Sequence, residues 1–112
     1  MAVIERDPPA TELGDHRAAA VARRLAALAE PTRLKLVTEL RERGDGTVQE
    51  LAEAVGGSLP NVSKHLQVLY QCGIVTRRKE GTFVHYGLAG DAVGLLVVYA
   101  IRILGGRARI TD

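Results

Sequence analysis

The chain has 112 residues and a mass of 12.0 kDa, enough for one domain with a modest hydrophobic core. Its single cysteine excludes an internal disulfide, and the N-terminal stretch MAVIERDPPATELGDHR has acidic residues where a signal peptide needs an apolar core. The net charge of +2 is unevenly distributed, because residues 58–112 contain seven Lys/Arg and three Asp/Glu. That half is basic, as a surface facing phosphates must be.

The first half of the chain is predicted to be helical after a flexible arm. Residues 1–13 form the arm, since they contain a Pro-Pro pair and no periodic pattern. A first helix is predicted over 14–29, where alanines and leucines recur at helical spacing. A second helix begins at Pro31, which suits a first helical turn, and ends at Gly44.

Two short helices follow a predicted turn, GDG, at 44–46. Thr47 and Glu50 have the spacing of a capping box, which begins a third helix ending at Val55. Ser58 is the expected cap of the fourth helix, LPNVSKHLQVLYQ, which ends before Gly73. Its buried stripe is expected at Val62, Leu66 and Leu69.

A β-hairpin and a last helix complete the chain. IVTRRK and TFVHYG are rich in β-branched and aromatic residues, and Glu80-Gly81 is the predicted turn between them. The last helix begins at Asp91 and is closed by Gly105-Gly106. The prediction is a mainly α fold with a small β-hairpin, in the order α-α-α-α-β-β-α, with the domain at 14–106 and a tail at 107–112.

Two short helices joined by a glycine turn, the second rich in small polar side chains, indicate a helix-turn-helix. Such a helix lies in the DNA major groove, where Asn, Gln, Ser, Lys and His reach base edges. The basic hairpin beside it is a wing that can reach flanking phosphates. A solvated helix beside a charged turn is the alternative interpretation. The predicted DNA-binding residues are Ser58, Asn61, Ser63, Lys64, His65, Gln67, Arg77, Arg78, Lys79 and Thr82.

Three segments, LAALAEPTRLKLVTELRERG, TVQELAEAV and LPNVSKHLQVLYQCGIVTRRKEGTFVHYGL, resemble the ArsR/SmtB family of winged-helix repressors. The resemblance covers about residues 16–104 and implies a homodimeric, cytoplasmic bacterial repressor that binds a palindromic operator. It also implies that the first and last helices pair across the dimer axis.

The last helix supports a homodimer independently of the resemblance. AVGLLVVYAIRIL is apolar nearly all round, and the third and fourth helices are expected to cover only one of its sides, so a second copy of the chain is the expected cover. At 13 residues the run spans roughly 20 Å, too short for a bilayer. The predicted interface residues are Val21, Leu25, Leu95, Leu96, Val98, Tyr99, Ile101 and Ile103.

The metal sites typical of the family are not expected here. The resemblance places its Cys-x-Cys pair at Thr47 and Gln49, and its last-helix ligands at Asp91, Val93, Leu104 and Arg107, of which only Asp91 keeps a ligand. No cofactor is therefore required. A weaker hypothesis is a nickel or zinc site at Glu12, Asp15 and His16, which helical spacing would place on one face. The alternative is a solvated helix start with acids near the N-terminal dipole.

Other functions leave different signals in the sequence. No Gly-rich phosphate loop, His-Glu-x-x-His motif or oriented nucleophile indicates an enzyme. A winged helix that binds protein is the rival from another class. A second regulatory protein is an additional candidate partner.

Overall fold

The computed structural model describes residues 12–105, which form five α-helices, one short π-helix and a three-stranded antiparallel sheet. The predicted arm, apart from its last two residues, and the predicted tail lie outside the described residues. The elements are α1 (Asp15–Leu28), α2 (Pro31–Arg43), β1 (Asp45–Thr47), α3 (Val48–Val55), α4 (Leu59–Gln71), β2 (Val75–Glu80), β3 (Phe83–Leu88), α5 (Asp91–Ala100) and the π-helix (Ile101–Gly105).

The core lies where α2, α3 and α4 pack together. The predicted stripe of α4 is confirmed, since Val62, Leu66 and Leu69 are fully buried. Burying each such side chain contributes about 1.5–3 kcal/mol, so this small core can hold α4 on the other helices. Its largest fully buried side chains are Leu36, Leu40, Leu51, Leu66, Leu69, Val37 and Val62.

The turn between α3 and α4 is built from the predicted caps. The Thr47 hydroxyl accepts a hydrogen bond from the Glu50 backbone N–H, and the Glu50 carboxylate accepts one from the Thr47 N–H at 2.9 Å. The capping box is therefore confirmed. Gly56 has a left-handed backbone (φ 74°), and a side chain at Gly57 would meet Val62 Cγ2 at 2.9 Å. Gly56 is therefore favoured by its backbone conformation, and Gly57 by the close approach of the two helices.

One strand of the sheet was not predicted. β1 pairs with β3 in antiparallel register, Gly46 opposite Tyr86, so the strand order is β1-β3-β2. The prediction of a turn over 44–46 is wrong at 45 and 46. Asp-Gly is a turn signal, but Gly46 is buried and an added Cβ would lie 3.1 Å from Leu51, so here glycine serves close packing.

The hairpin turn is displaced by one residue from its predicted place. Glu80 pairs with Phe83, which leaves Gly81 and Thr82 as a two-residue loop. Gly81 has φ 64°. A positive φ at the first of two loop residues is the type II′ arrangement that matches strand twist, so the glycine must come first.

The last helix packs on α2 and β3, not on α3 and α4 as predicted. Gly94 permits this contact, since a Cβ there would lie 2.9 Å from Arg41 Cδ. The helix changes to π geometry at Ile101, which the prediction of a single helix to Gly105-Gly106 did not include. Between residues 12 and 105, none of the helices has the length and apolarity needed to cross a membrane.

Candidate nucleic-acid interface

The outward face of α4 carries four of the ten residues that were predicted to contact DNA. Asn61, Lys64 and Gln67 are exposed, and Ser63 is half-buried. Ser58 is exposed but its hydroxyl caps the helix, accepting a hydrogen bond from the Asn61 N–H at 3.3 Å. The side chains available to an external partner are thus an amide, an ammonium, a second amide and a hydroxyl, the groups that read base edges and phosphates.

His65, a predicted DNA contact, lies against the protein instead. Its side chain is only 18% exposed, and Nδ1 lies 3.2 Å from Glu30 Oε2 and 3.2 Å from Arg33 Nη1. A neutral ring protonated on Nε2 accepts from Arg33, whereas a ring protonated on Nδ1 donates to Glu30. In either state the ring connects α4 to the start of α2.

Arg33 also holds the end of α1, and Glu30 caps the start of α2. Arg33 Nε donates to the carbonyl of Ala27 in the last turn of α1. The Glu30 carboxylate caps α2 by accepting from the N–H groups of Thr32 and Arg33, at 2.7 and 3.3 Å. We call Glu30, Arg33 and His65 the α1–α2–α4 joint, because they tie these three helices together. No residue spacing in the sequence indicates this joint, although Glu30 directly precedes the first residue of α2.

The joint changes the acidity of its carboxyl group. Partial burial opposes ionisation of Glu30, but the N–H donors of Thr32 and Arg33 and the positive charges of His65 and Arg33 outweigh it. The pKa of Glu30 therefore lies below its ordinary value of 4.5. Since the folded pKa is depressed, the ionised carboxylate stabilises the fold above pH 4.5, and this contribution is lost as pH falls through the folded pKa.

Glu30→Gln is expected to lower the free energy of unfolding at pH 7 by about 0.5–1.5 kcal/mol, because neutral hydrogen bonds replace charge-assisted ones. The difference from wild type should shrink below pH 4.5. Urea denaturation at pH 7, 5 and 3.5 measures both effects. Glu53→Gln, an exposed position of α3, is the matched control and should stay within about 0.5 kcal/mol of wild type. A Glu30→Gln deficit that persists unchanged at pH 3.5 would contradict the assignment.

The wing places its cations on two faces of the hairpin. Residues alternate between faces along a strand, so Arg77 and Lys79 point to one side of the sheet and Arg78 to the other. Arg77 Cζ lies 5.2 Å from the centre of the Tyr70 ring, a cation–π contact that keeps the guanidinium beside the C-terminal half of α4. Lys79 is exposed near the tip.

Arg78 is engaged within the wing. Its guanidinium lies 3.2 Å from Asp45 Oδ2, across the sheet on β1, and 3.1 Å from Glu80 Oε2. Hydrogen bonds to Asp45 and Glu80, together with their charges, raise the pKa of Arg78 above its ordinary value. All three wing cations were predicted to contact phosphates, but Arg78 is already paired with two carboxylates.

An open cleft of about 440 Å³ lies between α3, α4 and the wing tip. Ser63 and Thr82, both predicted DNA contacts, line it, yet most of its surface is apolar. We call it the Leu59–Phe83 cleft, after two exposed apolar side chains on opposite walls. No sequence motif indicates this cleft. The lining residues are Thr47, Val48, Gln49, Leu59, Pro60, Ser63, Thr82, Phe83 and Val84.

The residues proposed for a metal site do not form one in the described chain. Glu12, Asp15 and His16 are exposed at the start of α1. Over residues 12–105, no three His, Cys, Asp or Glu side chains are grouped so that they could hold a metal ion. A nickel or zinc site at this position stays a prediction.

The predicted dimer residues lie on α1, α5 and the π-helix. A groove of about 880 Å³ runs between α1 and α5, with Val21, Leu25 and Leu96 among its lining residues. In the isolated chain, Val98 is half-buried and the others are exposed. An apolar groove of this size lined by exposed side chains is characteristic of a protein–protein contact. The exposed members are Val21, Leu25, Leu95, Leu96, Tyr99, Ile101 and Ile103.

Sequence comparison finds the family described as bacterial regulatory protein, arsR family, whose model matches residues 30–77. The probable mercury resistance operon repressor of Streptomyces lividans is 40% identical over 91 residues, which are 81% of this chain and 72% of the relative. The transcriptional regulator NmtR of Mycobacterium tuberculosis is 40% identical over 96 residues, covering 86% and 79%.

Solved structures show the same architecture. The transcriptional repressor BigR from Xylella fastidiosa superposes with a TM-score of 0.73 at 34% identity, covering 83% of this chain and 94% of that one. A homodimeric winged helix-turn-helix DNA-binding domain from Mycobacterium bovis, a possible ArsR-family regulator, has a TM-score of 0.69 at 32% identity and covers 88% and 98%. The predicted winged-helix fold is confirmed.

Proposed function

The chain belongs to the ArsR family of bacterial regulatory proteins, and on this basis we propose that it is a homodimeric transcriptional repressor of the cytoplasm that binds a palindromic operator. The observation that carries the proposal is the exposed polar face of α4, with Asn61, Lys64 and Gln67, beside the cationic wing. Similar relatives named as repressors, and the homodimeric neighbour, support it.

In the proposed complex each α4 enters a major groove. Asn61, Ser63, Lys64 and Gln67 contact base edges or phosphates, with half-sites 10–10.5 base pairs or a multiple apart. Ser58 keeps the helix start in place, and Thr82 approaches the duplex from the wing tip. His65 acts through the α1–α2–α4 joint and holds α4 at its angle.

The dimer forms through the apolar surface on α1 and α5. Helix α5 packs on α2 but leaves apolar side chains such as Leu95, Leu96 and Tyr99 exposed to water. In a two-fold dimer the same surface of a second copy would bury them. DNA binding requires no cofactor in this proposal.

Two cations of the wing are expected to contribute differently to phosphate binding, because Lys79 is exposed and Arg78 is paired with carboxylates. On fragments selected from the genomic DNA of the source organism, Lys79→Ala should reduce the slope of log K against log salt by about one for each wing in contact, with similar losses on all sequences. Arg78→Ala should reduce it less, because Asp45 and Glu80 already occupy that guanidinium. Titration from 50 to 200 mM salt measures both.

Lys35→Ala, at an exposed position of α2 away from the wing, is the control for loss of positive charge. It should leave the slope unchanged. Equal reductions for Arg78→Ala and Lys79→Ala would mean that Arg78 leaves its carboxylates for phosphate. Fragment selection that recovers no DNA would refute the proposed function.

A further inference from the structure

The Leu59–Phe83 cleft is an open depression in the protein surface with a volume of about 440 Å³, and its lining is mostly apolar. The cleft opens between the N-terminal ends of α3 and α4 and the tip of the wing. In the proposed complex this opening faces the duplex, so its chemistry bears on what the protein reads.

Leu59 is the apolar side chain that α4 contributes to the cleft from its first turn. It extends the buried row of Val62, Leu66 and Leu69 by one turn, but beyond the core, and 50% of it remains exposed. Pro60 follows it in the first helical turn. Residues at the N-terminal end of a recognition helix are the ones that reach base edges.

Phe83 forms the opposite wall. It is 60% exposed and stands at the first position of β3, next to the hairpin loop. The polar groups of the cleft are few: Thr47 and Gln49 at the start of α3, Ser63 one turn after Leu59, and Thr82. Leu59 and Phe83, with a few hydroxyl and amide groups around them, favour a ligand that places one apolar group between polar ones.

Among the base edges exposed in the major groove, the 5-methyl group of thymine is the apolar one. We infer that the Leu59–Phe83 cleft receives the 5-methyl group of a thymine in each operator half-site, with Leu59 as the contacting residue and Phe83 as the wall that shields it from water. The inference rests on the proposed function and names a base that the polar residues alone do not specify.

Replacement of thymine by deoxyuracil removes only the methyl group and so tests the inference directly. The probe is a duplex obtained by selection from a randomised pool, with each symmetry-related pair of thymines replaced in turn. Burying one methyl-sized group changes affinity by about fourfold. Wild type should therefore lose roughly 15-fold at one thymine pair, for two half-sites, and little at the others.

Leu59→Ala should bind the thymine duplex more weakly and no longer distinguish thymine from deoxyuracil at that pair. Phe83→Ala should reduce the discrimination in part. Lys64→Ala, outside the cleft, should bind both duplexes more weakly and keep the full ratio. Both cleft side chains are largely exposed, so the variants should keep the wild-type thermal midpoint, which is to be checked first.

Wild type that is insensitive to deoxyuracil at every position would overturn the inference, as would Leu59→Ala that keeps the wild-type ratio. In both results DNA binding itself survives. A protein that binds no duplex, in contrast, refutes the proposed function and the cleft assignment together.

Discussion

Raising the salt concentration from 50 to 200 mM is expected to weaken operator binding by roughly 10³–10⁵-fold. Each protomer presents Lys64, Arg77 and Lys79 on the proposed DNA surface, so a dimer contacts about six phosphates or more, and each contact releases counterions from the duplex. Fluorescence anisotropy at four or five salt concentrations measures the slope.

The salt response also separates two classes of function. A winged helix that binds a protein through its wing has no condensed counterions to release, so its affinity changes little over the same range. A flat response would therefore contradict the proposed DNA complex. A steep response that is identical for selected and scrambled duplexes would leave only non-specific binding.

Leu96→Asp is expected to make the protein monomeric. Leu96 lines the groove between α1 and α5 and is 48% exposed in the isolated chain, so an aspartate there stays in water and the fold is kept. In the dimer each of the two carboxylates would be buried without a partner, which costs about 3–5 kcal/mol per carboxylate and weakens association by at least about 10⁴-fold. Sedimentation equilibrium measures the change.

When Leu96→Asp prevents dimerisation, operator affinity should fall as well, because a monomer contacts only one half-site. Leu59→Asp is the matched control, since it places the same charge at an equally exposed leucine on α4. It should remain dimeric while losing operator affinity. A Leu96→Asp protein that sediments as a dimer would show that the α1–α5 surface is not the interface.

Features encoded by neighbouring residues were predicted well from the sequence. The capping box at Thr47 and Glu50, the cap at Ser58 and the buried row of α4 depend on spacings of three or four residues, and all are confirmed. β1 was missed because a three-residue strand has no readable period, and its pairing partner β3 lies some forty residues away along the chain.

The pairing of side chains within the candidate site could not be predicted from the sequence. His65 turns inward because Arg33, 32 residues away, offers it a partner, and Arg78 is held by Asp45 at a separation of 33 residues. Neither pairing follows from helical or strand periodicity. The cleft was overlooked for a related reason, since Leu59 and Phe83 meet only after the wing folds against α3.

The α1–α2–α4 joint has a geometric consequence for the assembly. Arg33 holds the last turn of α1, which carries part of the proposed subunit contact, and the same guanidinium holds His65 on the DNA-reading rod. In the proposed dimer, Arg33 therefore connects the subunit contact to α4, and we expect it to help fix the distance between the two α4 helices.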